Sequence, residues 1–493
     1  MSAREQAMTA FAVPARREHY YGGAWHRSLS DATIAVENPA TGERLGEVAA
    51  ADTKDVERVV SAARDAFPGW RDTPVQERAR LIRTASALLR EHAEELAWLD
   101  AIDGGNPLQA MLFDVGISAA YMDYFAGLVT EMHGATIPVG PGVLNYTLRE
   151  PLGVVARIGA FNHPLLFVAG KVGAPLAAGN SIIVKPAEQT PLSALRIADL
   201  WHGVFPPGVF NVITGGREAG AALAGHPRVA KIGFIGSING GRAVMQSASG
   251  TLKKLTLELG GKNALIACAD ASADEIGEGV VRGMNFRYVT GQSCNSTSRV
   301  YLHESIHDAA LAAIVRQVAR IKVGLPTDRD TEMGCLSSRA QFDKTLAYIR
   351  LGQEEGARIA YGGKRCAAPR LANGYFVEPT VFADVTDDMR IAREEIFGPV
   401  VSILRWSDEE DLLRRVNALD YGLTASIWTH DLDRAHRIAA RVEAGYVWIN
   451  DASTHRVGVP FGGYKQSGIG REESMDELLA CTQLKNVSVA LRP

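Results

Sequence analysis

Residues 181–201 read Ser-Ile-Ile-Val-Lys-Pro-Ala-Glu-Gln-Thr-Pro-Leu-Ser-Ala-Leu-Arg-Ile-Ala-Asp-Leu-Trp and combine two periodicities. The run 181–184 is continuously apolar after Ser181, which is typical of a strand covered on both faces. Thr190-Pro191 then precedes apolar residues at helical spacing, which predicts a helix. Strand–helix alternation of this kind indicates an α/β fold with a parallel sheet. Further β-rich runs lie at Gly153–Phe161, Val209–Ile213, Lys231–Ile235 and Leu255–Leu259, and a second alternating series runs from about 263 to 450.

The composition is that of an ordinary globular chain. Its 493 residues are enough for two or three domains. Hydrophobic residues make up 46% and charged residues 22%, which excludes a disordered chain. The net charge of −4 without long blocks of one sign argues against nucleic-acid or membrane partners. Five dispersed cysteines and the lack of a secretory signal or an unbroken apolar span predict a reduced, cytoplasmic protein.

Two segments outside the strand–helix alternation resemble edge strands. Leu144–Arg149 and Leu484–Leu491 both alternate apolar and polar residues. Such segments can form an arm that pairs between subunits. Two ordinary hairpin strands would show the same spacing, so the pattern alone leaves both interpretations open.

Most motifs of known catalytic classes are absent from the sequence. It has no phosphate-binding GxxxxGK[ST], no HExxH, no GxSxG, no Cys/His ligand cluster and no GxGxxG, and we expect no metal. The nearest dinucleotide motif is Gly236-Ser-Ile-Asn-Gly-Gly241, after the predicted strand Lys231–Ile235. A Gly-rich turn at a helix start can bind a phosphate, although a plain strand–helix turn looks the same.

Two reactive side chains stand in unusual surroundings. Glu258 lies between leucines just before a Gly pair, where its charged form is disfavoured, as a general base working near neutral pH requires. A strand-edge Glu facing solvent would fit the same pattern. Cys294 is surrounded by small polar residues, unlike Cys268 among aliphatic ones, and is a candidate nucleophile. Lys185 at a strand end and Glu395 before Phe-Gly-Pro are each compatible with surface charges when taken singly.

Taken together, these motifs resemble those of the aldehyde dehydrogenase superfamily, from about residue 20 to 490. The resemblance implies a Rossmann-like cofactor domain over 1–128 and 149–260 and an α/β catalytic domain over 261–465. It also implies a β-strand oligomerisation arm over 129–148 and 478–493, and hence a homodimer or homotetramer. The motifs, in family order, are Glu150-Pro-Leu-Gly-Val-Val, Phe161-Asn-His-Pro-Leu, Val184-Lys-Pro-Ala-Glu, Leu257-Glu-Leu-Gly-Gly-Lys, Gly291-Gln-x-Cys, Glu395-x-Phe-Gly-Pro and Pro460-Phe-Gly-Gly-Tyr-Lys-x-Ser-Gly-x-Gly-Arg-Glu472.

The resemblance also implies a mechanism. Cys294 attacks the aldehyde, Asn162 and the Cys294 N–H hold the oxyanion, and Glu258 activates the water that hydrolyses the thioester. Lys171 and Glu472 match the proton-relay positions. The implied cofactor is NAD, with some use of NADP permitted by Lys185. The positions implied to bind it are Ile158, Phe161, Lys185, Glu188, Gly236, Ser237, Gly241, Leu259, Gln341, Lys344, Glu395 and Phe397.

The aldehyde itself is less well defined. By resemblance the tunnel wall includes Phe113, Ile117, His163, Gly170, Tyr288, His455 and Phe461, although the helical stripe Phe113, Ile117, Tyr121 could equally be core. The aromatic cage that binds betaine aldehyde in relatives is largely missing here. Arg287 and Arg456 are expected near the tunnel, which favours an uncharged or carboxylate-bearing aldehyde, unless both point to solvent.

Two other functions are considered. A CoA-acylating relative would transfer the acyl group to a thiol, but that branch typically lacks a carboxylate at the position of Glu258. A catalytically silent relative would be marked by loss of Cys294. Both residues are present, so a hydrolytic NAD-dependent enzyme is predicted.

Overall fold

The computed structural model describes residues 11–491, and one of its two large units is an eight-stranded sheet. Its central strands run parallel, and the strand pairs at both edges are antiparallel. The β-rich runs predicted between 153 and 259 all form strands of this sheet. Across the sheet the strands are Ala24–His26, His19–Tyr21, Phe210–Val212, Ser181–Lys185, Val154–Ile158, Val229–Ile235, Lys254–Glu258 and Gly468–Ile469.

The second large unit is a seven-stranded sheet formed by the following alternating series. All of its strand pairs are parallel except the one at the edge that begins with Arg358–Tyr361. Across the sheet the strands are Arg358–Tyr361, Thr380–Ala383, Val400–Trp406, Arg299–His303, Ala264–Ala267, Thr424–Trp428 and Tyr446–Ile449. Two two-stranded antiparallel sheets complete the strands outside the arm, pairing Thr33–Glu37 with Arg44–Ala49 and Tyr421–Gly422 with Tyr464–Lys465.

Helices cover both faces of each large sheet. Along Ser181–Lys185 the side chains of Ile182 and Ile183 belong to different apolar clusters, one on each face. The same alternation places Leu265 and Ile266 on opposite faces of the second sheet. Central strands buried on both faces explain why their sequences are continuously apolar. The α-helices are Thr53–Asp72, Val75–Glu91, Ala93–Gly104, Leu108–Gly127, Gly173–Ala177, Leu192–Leu200, Arg217–Gly225, Ile238–Ser249, Ala273–Gly283, Phe286–Val289, His307–Val318, Arg339–Glu354, Arg390–Arg393, Glu409–Asn417, Leu432–Arg441 and Met475–Ala480, with a π-helix at Leu166–Gly170 and a 3₁₀-helix at Pro369–Leu371.

The two edge-like segments pair with each other. Val143–Pro151 and Thr482–Ala490 form an antiparallel ladder over nine residues, and Thr136–Ile137 adds a third strand. The resulting sheet exposes apolar side chains, including Leu148 and Leu484. Pairing between subunits is a separate question, and the predicted arm and domain boundaries stay predictions. Residues 1–10 and 492–493, which those boundaries include, lie outside the described residues.

The reactive groups lie where the two large sheets meet. The strand Lys254–Glu258 ends the parallel part of the first sheet, and Ala264–Ala267 begins the next. The chain therefore passes from one sheet to the other within residues 259–263. Strand ends of this kind are where open α/β sheets bind ligands. Within residues 11–491, none of the helices has both the length and the apolar character of a membrane span.

Candidate active site

Cys294 lies in the loop between the short helix Phe286–Val289 and the strand Arg299–His303. It is half-buried, whereas the other four cysteines are buried. Asn263 Nδ2 donates to the backbone oxygen of Cys294 at 2.8 Å and thereby anchors the loop. The predicted nucleophile is thus the most accessible of the cysteines in the described part of the chain.

Glu258 ends its strand beside this loop and is 5% exposed. Burial raises the pKa of its carboxyl to about 8, and contact with the Cys294 thiol offsets only part of that rise. Burial, followed by the proximity of Glu258, raises the pKa of the Cys294 thiol well above its usual value. Both groups are therefore mainly protonated at neutral pH. Glu258 faces the active-site cavity rather than bulk solvent, so the solvent-facing alternative does not apply.

The Gly pair after Glu258 brings three segments together. A Cβ on Gly260 would lie 2.3 Å from Glu395 Oε2, and one on Gly261 would lie 2.3 Å from the Cys294 backbone oxygen. Gly261 N–H instead donates to Glu395 Oε1 at 2.9 Å. A side chain at Gly261 would collide with the Cys294 backbone, and one at Gly260 would displace the Glu395 carboxylate, so the Gly pair is what allows Glu258, Cys294 and Glu395 to converge.

Asn162 lies in the segment that follows the strand Val154–Ile158 and is buried. Its backbone oxygen accepts from Asn106 Nδ2 at 2.9 Å, which fixes the segment. Its side-chain amide makes no hydrogen bond within residues 11–491, so it is available to a ligand oxygen. Neighbouring Phe161 packs edge-to-face against Phe397 at 5.6 Å.

Lys171 and Glu472 form a buried ion pair at 3.0 Å, and Arg157 binds the other oxygen of Glu472 at 2.7 Å. Burial alone would raise the pKa of Glu472, but the charges of Arg157 and Lys171 outweigh it and lower the pKa to about 2. Lys171 also binds Glu473 at 3.0 Å. Sequence reasoning missed Arg157 and Glu473, although Glu473 directly follows the last family motif.

A cavity of about 1140 Å³ contains Cys294 and Glu258 in its wall. Lys171 and Glu472 also contribute to it, so four of the five predicted catalytic residues share this cavity. Its wall combines several aromatic rings with charged side chains, most of which are paired with a side chain of opposite charge. Of the predicted substrate residues, those in the wall are Phe113, Ile117, His163, Tyr288, His455 and Phe461.

Two predicted placements near the cavity are corrected. Gly170 ends the π-helix and faces the preceding helix, because a Cβ there would lie 2.8 Å from Leu166 Cδ1 and 3.4 Å from Ser118 Oγ. It therefore does not reach the cavity wall. Arg456 is exposed and is also absent from the wall, while Arg287 does line it and pairs with Glu332 at 3.2 Å. The two arginines do not form a joint carboxylate site.

The carboxyl edge of the first sheet carries the residues expected to bind the adenosine end of a dinucleotide. Lys185 Nζ is buried, donates to Pro186 O at 3.1 Å and lies 4.0 Å from Glu188. Burial lowers the pKa of Lys185, and Glu188 opposes that effect. Glu188 is 45% exposed at the rim, and Ile158 pairs with Lys185 in the sheet.

The Gly-rich turn after the strand Val229–Ile235 begins the helix Ile238–Ser249. Ser237 caps the helix by accepting from Gly240 N at 3.1 Å. A Cβ on Gly236 would lie 2.6 Å from the Phe234 ring, and one on Gly241 would lie 2.7 Å from Leu259. The N–H groups of Gly236, Gly240 and Gly241 are used inside the protein, so the donors that suit a pyrophosphate are those of the first helical residues, Ile238 and Asn239, at the helix N-terminus.

The remaining predicted cofactor residues are Gln341, Lys344 and Phe397, which follow the Gly pair in the chain. Phe397 has φ +60°, and Gln341 Nε2 donates to its carbonyl at 2.5 Å and to that of Ile396 at 2.9 Å. Gln341 therefore supports the loop that holds Phe397. Lys344 lies over the ring of Tyr348, and burial lowers its pKa.

Comparison with known proteins gives a consistent result along the whole chain. The profile described as "Aldehyde dehydrogenase family" matches residues 25–487. The aldehyde dehydrogenase tropH of Talaromyces stipitatus is 49% identical over 488 residues, covering 97% of this chain and 94% of the relative. The NAD+ complex of an aldehyde dehydrogenase from Bacillus cereus is 40% identical with a TM-score of 0.94, covering 100% of this chain and 99% of that one.

A further solved structure, PnpE from Pseudomonas sp. WBC-3 in complex with nicotinamide adenine dinucleotide, is 40% identical with a TM-score of 0.94 and covers 97% of this chain and 98% of that one. These matches confirm the predicted α/β aldehyde dehydrogenase fold and the resemblance on which it was based. The chain belongs to the aldehyde dehydrogenase family.

Proposed function

We propose that the protein is a hydrolytic aldehyde dehydrogenase that oxidises an aldehyde to a carboxylate with NAD, through a covalent intermediate on Cys294. The observation that carries the proposal is that Cys294 and Glu258 line the same cavity, and that each raises or lowers the pKa of the other. A nucleophile and a base within reach of each other can perform both halves of such a reaction.

The first step forms a bond between Cys294 Sγ and the aldehyde carbon. The thiol loses its proton to solvent as this bond forms, while the carbonyl oxygen becomes an oxyanion, and Glu258 is needed as a base only in the second half of the reaction. Asn162 Nδ2–H and the Cys294 N–H are the donors assigned to that oxyanion. Removing one such donor typically slows a reaction about 10²- to 10³-fold.

The residues at the sheet edge fit a dinucleotide. The Ser237 turn offers backbone donors to a pyrophosphate, and Lys185 and Glu188 lie where an adenosine ribose would bind. Glu395 and Phe397 are assigned to the nicotinamide ribose and ring. NAD supplies the hydride acceptor for the carbon that is oxidised on Cys294. Structures of relatives from Bacillus cereus and Pseudomonas with this cofactor support the assignment.

NAD is preferred to NADP in this proposal. The Glu188 carboxylate would accept hydrogen bonds from ribose hydroxyls and would repel a 2′-phosphate. The exposed position of Glu188 weakens this repulsion, and the nearby Lys185 ammonium offsets part of it. Some use of NADP is therefore expected.

The second half of the reaction hydrolyses the thioester. Ionised Glu258 takes a proton from water, the water oxygen bonds to the acyl carbon, and the C–S bond breaks to release the Cys294 thiolate. Lys171 and Glu472 are assigned to pass the proton onward from Glu258. A CoA-acylating enzyme would not need this base, and a silent relative would need neither residue.

Two variants and a control test this proposal. Cys294→Ala should abolish NADH formation, because no other cysteine lines the cavity among the described residues. Glu258→Gln should release a burst of NADH and then stall at the thioester. Cys366→Ala, which changes a cysteine outside the cavity, should behave as wild type. Single-turnover NADH formation by Cys294→Ala at the wild-type rate would contradict the nucleophile assignment.

We also propose that the arm joins subunits into a homodimer or homotetramer. The three-stranded sheet leaves Leu144, Leu148 and Val489 exposed at 42%, 44% and 37%, and the strand register places all three on one face. Apolar side chains in a row on an exposed sheet favour burial against a second copy. The cytoplasmic location rests on composition alone and stays a prediction.

A further inference from the structure

Two histidines in the cavity wall are each held by a carboxylate. His163 Nδ1 lies 2.8 Å from Asp114 Oδ2, and His455 Nδ1 lies 3.2 Å from Glu473 Oε2. Asp114 is fully buried and Glu473 nearly so. Because an ionised carboxylate only accepts hydrogen bonds, each imidazole carries a proton on Nδ1.

The two imidazoles differ at their second nitrogen. His455 Nε2 accepts from Asn295 Nδ2 at 2.8 Å, and Asn295 directly follows the nucleophile. Both nitrogens of His455 are therefore used inside the protein. His163 Nε2 has no hydrogen-bond partner within residues 11–491, although its ring lines the cavity. In the neutral imidazole this nitrogen is a lone pair that can accept from a ligand.

The orientation of His163 is fixed on several sides. Tyr288 O–H donates to Asp114, and burial together with the Asp114 charge raises the pKa of Tyr288 well above its usual value, so the phenol stays neutral. The His163 ring packs edge-to-face on Tyr288 at 4.9 Å and on Phe167 at 5.6 Å. Phe113 also packs edge-to-face on Tyr288, at 5.8 Å. This wall offers ring faces and edges beside one acceptor nitrogen.

We propose that His163 is a specificity-determining residue whose Nε2 accepts a hydrogen bond from a hydroxyl group of the substrate, so that hydroxylated aromatic aldehydes are preferred. The inference rests on the proposed function and adds its substrate class. Aromatic rings pack well edge-to-face against a wall of this kind. A carboxylate substituent has no proton to donate to Nε2 and would face the charges of Asp114 and Glu473.

The test compares hydroxybenzaldehydes with methylbenzaldehydes of the same ring position, which have similar size. We expect kcat/KM to favour the hydroxyl compound about tenfold at one or more ring positions in the wild type. In His163→Phe, which keeps a flat ring but removes both nitrogens, that ratio should fall to about one. His455→Phe is the matched comparison, because it should lower kcat through Asn295 while keeping the wild-type ratio.

A second variant, Asp114→Asn, tests the same hydrogen bond at His163 Nε2 without replacing the imidazole. In Asp114→Asn the amide can donate to Nδ1, which moves the imidazole proton to Nε2. A methoxy group only accepts, so the hydroxyl-to-methoxy ratio of kcat/KM should fall about tenfold relative to wild type. This comparison decides the proposal if His163→Phe does not fold.

The outcomes separate this proposal from the one on which it rests. Oxidation of the methylbenzaldehydes by wild type tests the proposed function by itself. Equal hydroxyl-to-methyl ratios in wild type and His163→Phe would overturn the role of His163 and leave the function intact. A preference for carboxybenzaldehydes that disappears in His163→Phe would overturn the hydroxyl assignment. An enzyme inactive on every aldehyde would overturn both.

Discussion

Raising the pH from 7 to 9 should speed thioester hydrolysis about tenfold, because Glu258 acts as the base only when it is ionised. Burial raises the pKa of Glu258 from 4.5 to about 8. A carboxyl with that pKa is about one-tenth ionised at pH 7 and about nine-tenths ionised at pH 9. Since the raised pKa depopulates the base form below pH 8, the rate should rise with pH and level off above about 9.

The assay follows the acyl group on Cys294 directly. The enzyme is acylated with aldehyde and NAD and quenched at intervals, and the Cys294 adduct is quantified by mass spectrometry from pH 6 to 10. The Glu258→Gln variant serves as the control, with adduct decay at least about 10²-fold slower and independent of pH. A wild-type midpoint near pH 4.5, or the same rise in the Gln variant, would refute the assignment of Glu258 as the base.

Three further predictions concern the surroundings of the site. Arg157→Met should lower the free energy of unfolding by about 3 kcal/mol, because Lys171 becomes the single cation paired with the buried Glu472 carboxylate. An unchanged midpoint in thermal unfolding would contradict this ion-pair argument. Glu188→Ala should raise the NADP-to-NAD ratio of kcat/KM about fivefold, and the change is modest because the Glu188 side chain is 45% exposed. An unchanged ratio in steady-state kinetics would show that Glu188 does not discriminate between the two cofactors. Leu148→Glu should shift sedimentation towards smaller species if the arm joins subunits, and an unaltered sedimentation coefficient would place the interface elsewhere.

The central strands were predictable because their chemistry is uniform. Strands buried on both faces are mainly apolar, so Ser181–Lys185 and Val229–Ile235 could be located to within two residues from the sequence. The pairing of Val143–Pro151 with Thr482–Ala490 was not predictable in the same way. Alternation predicts that a strand exists, but it contains no information about which partner it has when hundreds of residues intervene.

The reactive residues of the site were predictable because they stand in short, ordered motifs. Cys294, Glu258 and Glu395 converge through the Gly pair, whose role is visible only when the neighbouring backbone is in place. Gly170 was misplaced because the π-helix turns it towards the preceding helix, and a wide turn of that kind has no sequence signature.

The residues missed by sequence reasoning are those that act through another residue. Asp114 holds His163 and Tyr288, and its one visible signal is a lone carboxylate in the apolar first half of the helix Leu108–Gly127. Arg157 is a charge within a buried strand, which needs a partner that only the fold supplies. In each case, a single charged residue in an apolar segment was the sequence signal that could have indicated Asp114 and Arg157.

Two strands near the C-terminus pair with strands that are synthesised much earlier, so folding depends on the order of synthesis. Gly468–Ile469 covers the edge of the strand that ends in Glu258, and Arg149 contacts Thr482, which lies 333 positions further along the chain. At translation rates of about 5–20 residues per second, the edge beside Glu258 waits roughly 10–40 s for its partner. During that time it is an unpaired strand able to join another nascent chain. Because Glu472 and Glu473 line the cavity, the active site is complete only after both have been synthesised and the strand Gly468–Ile469 has paired.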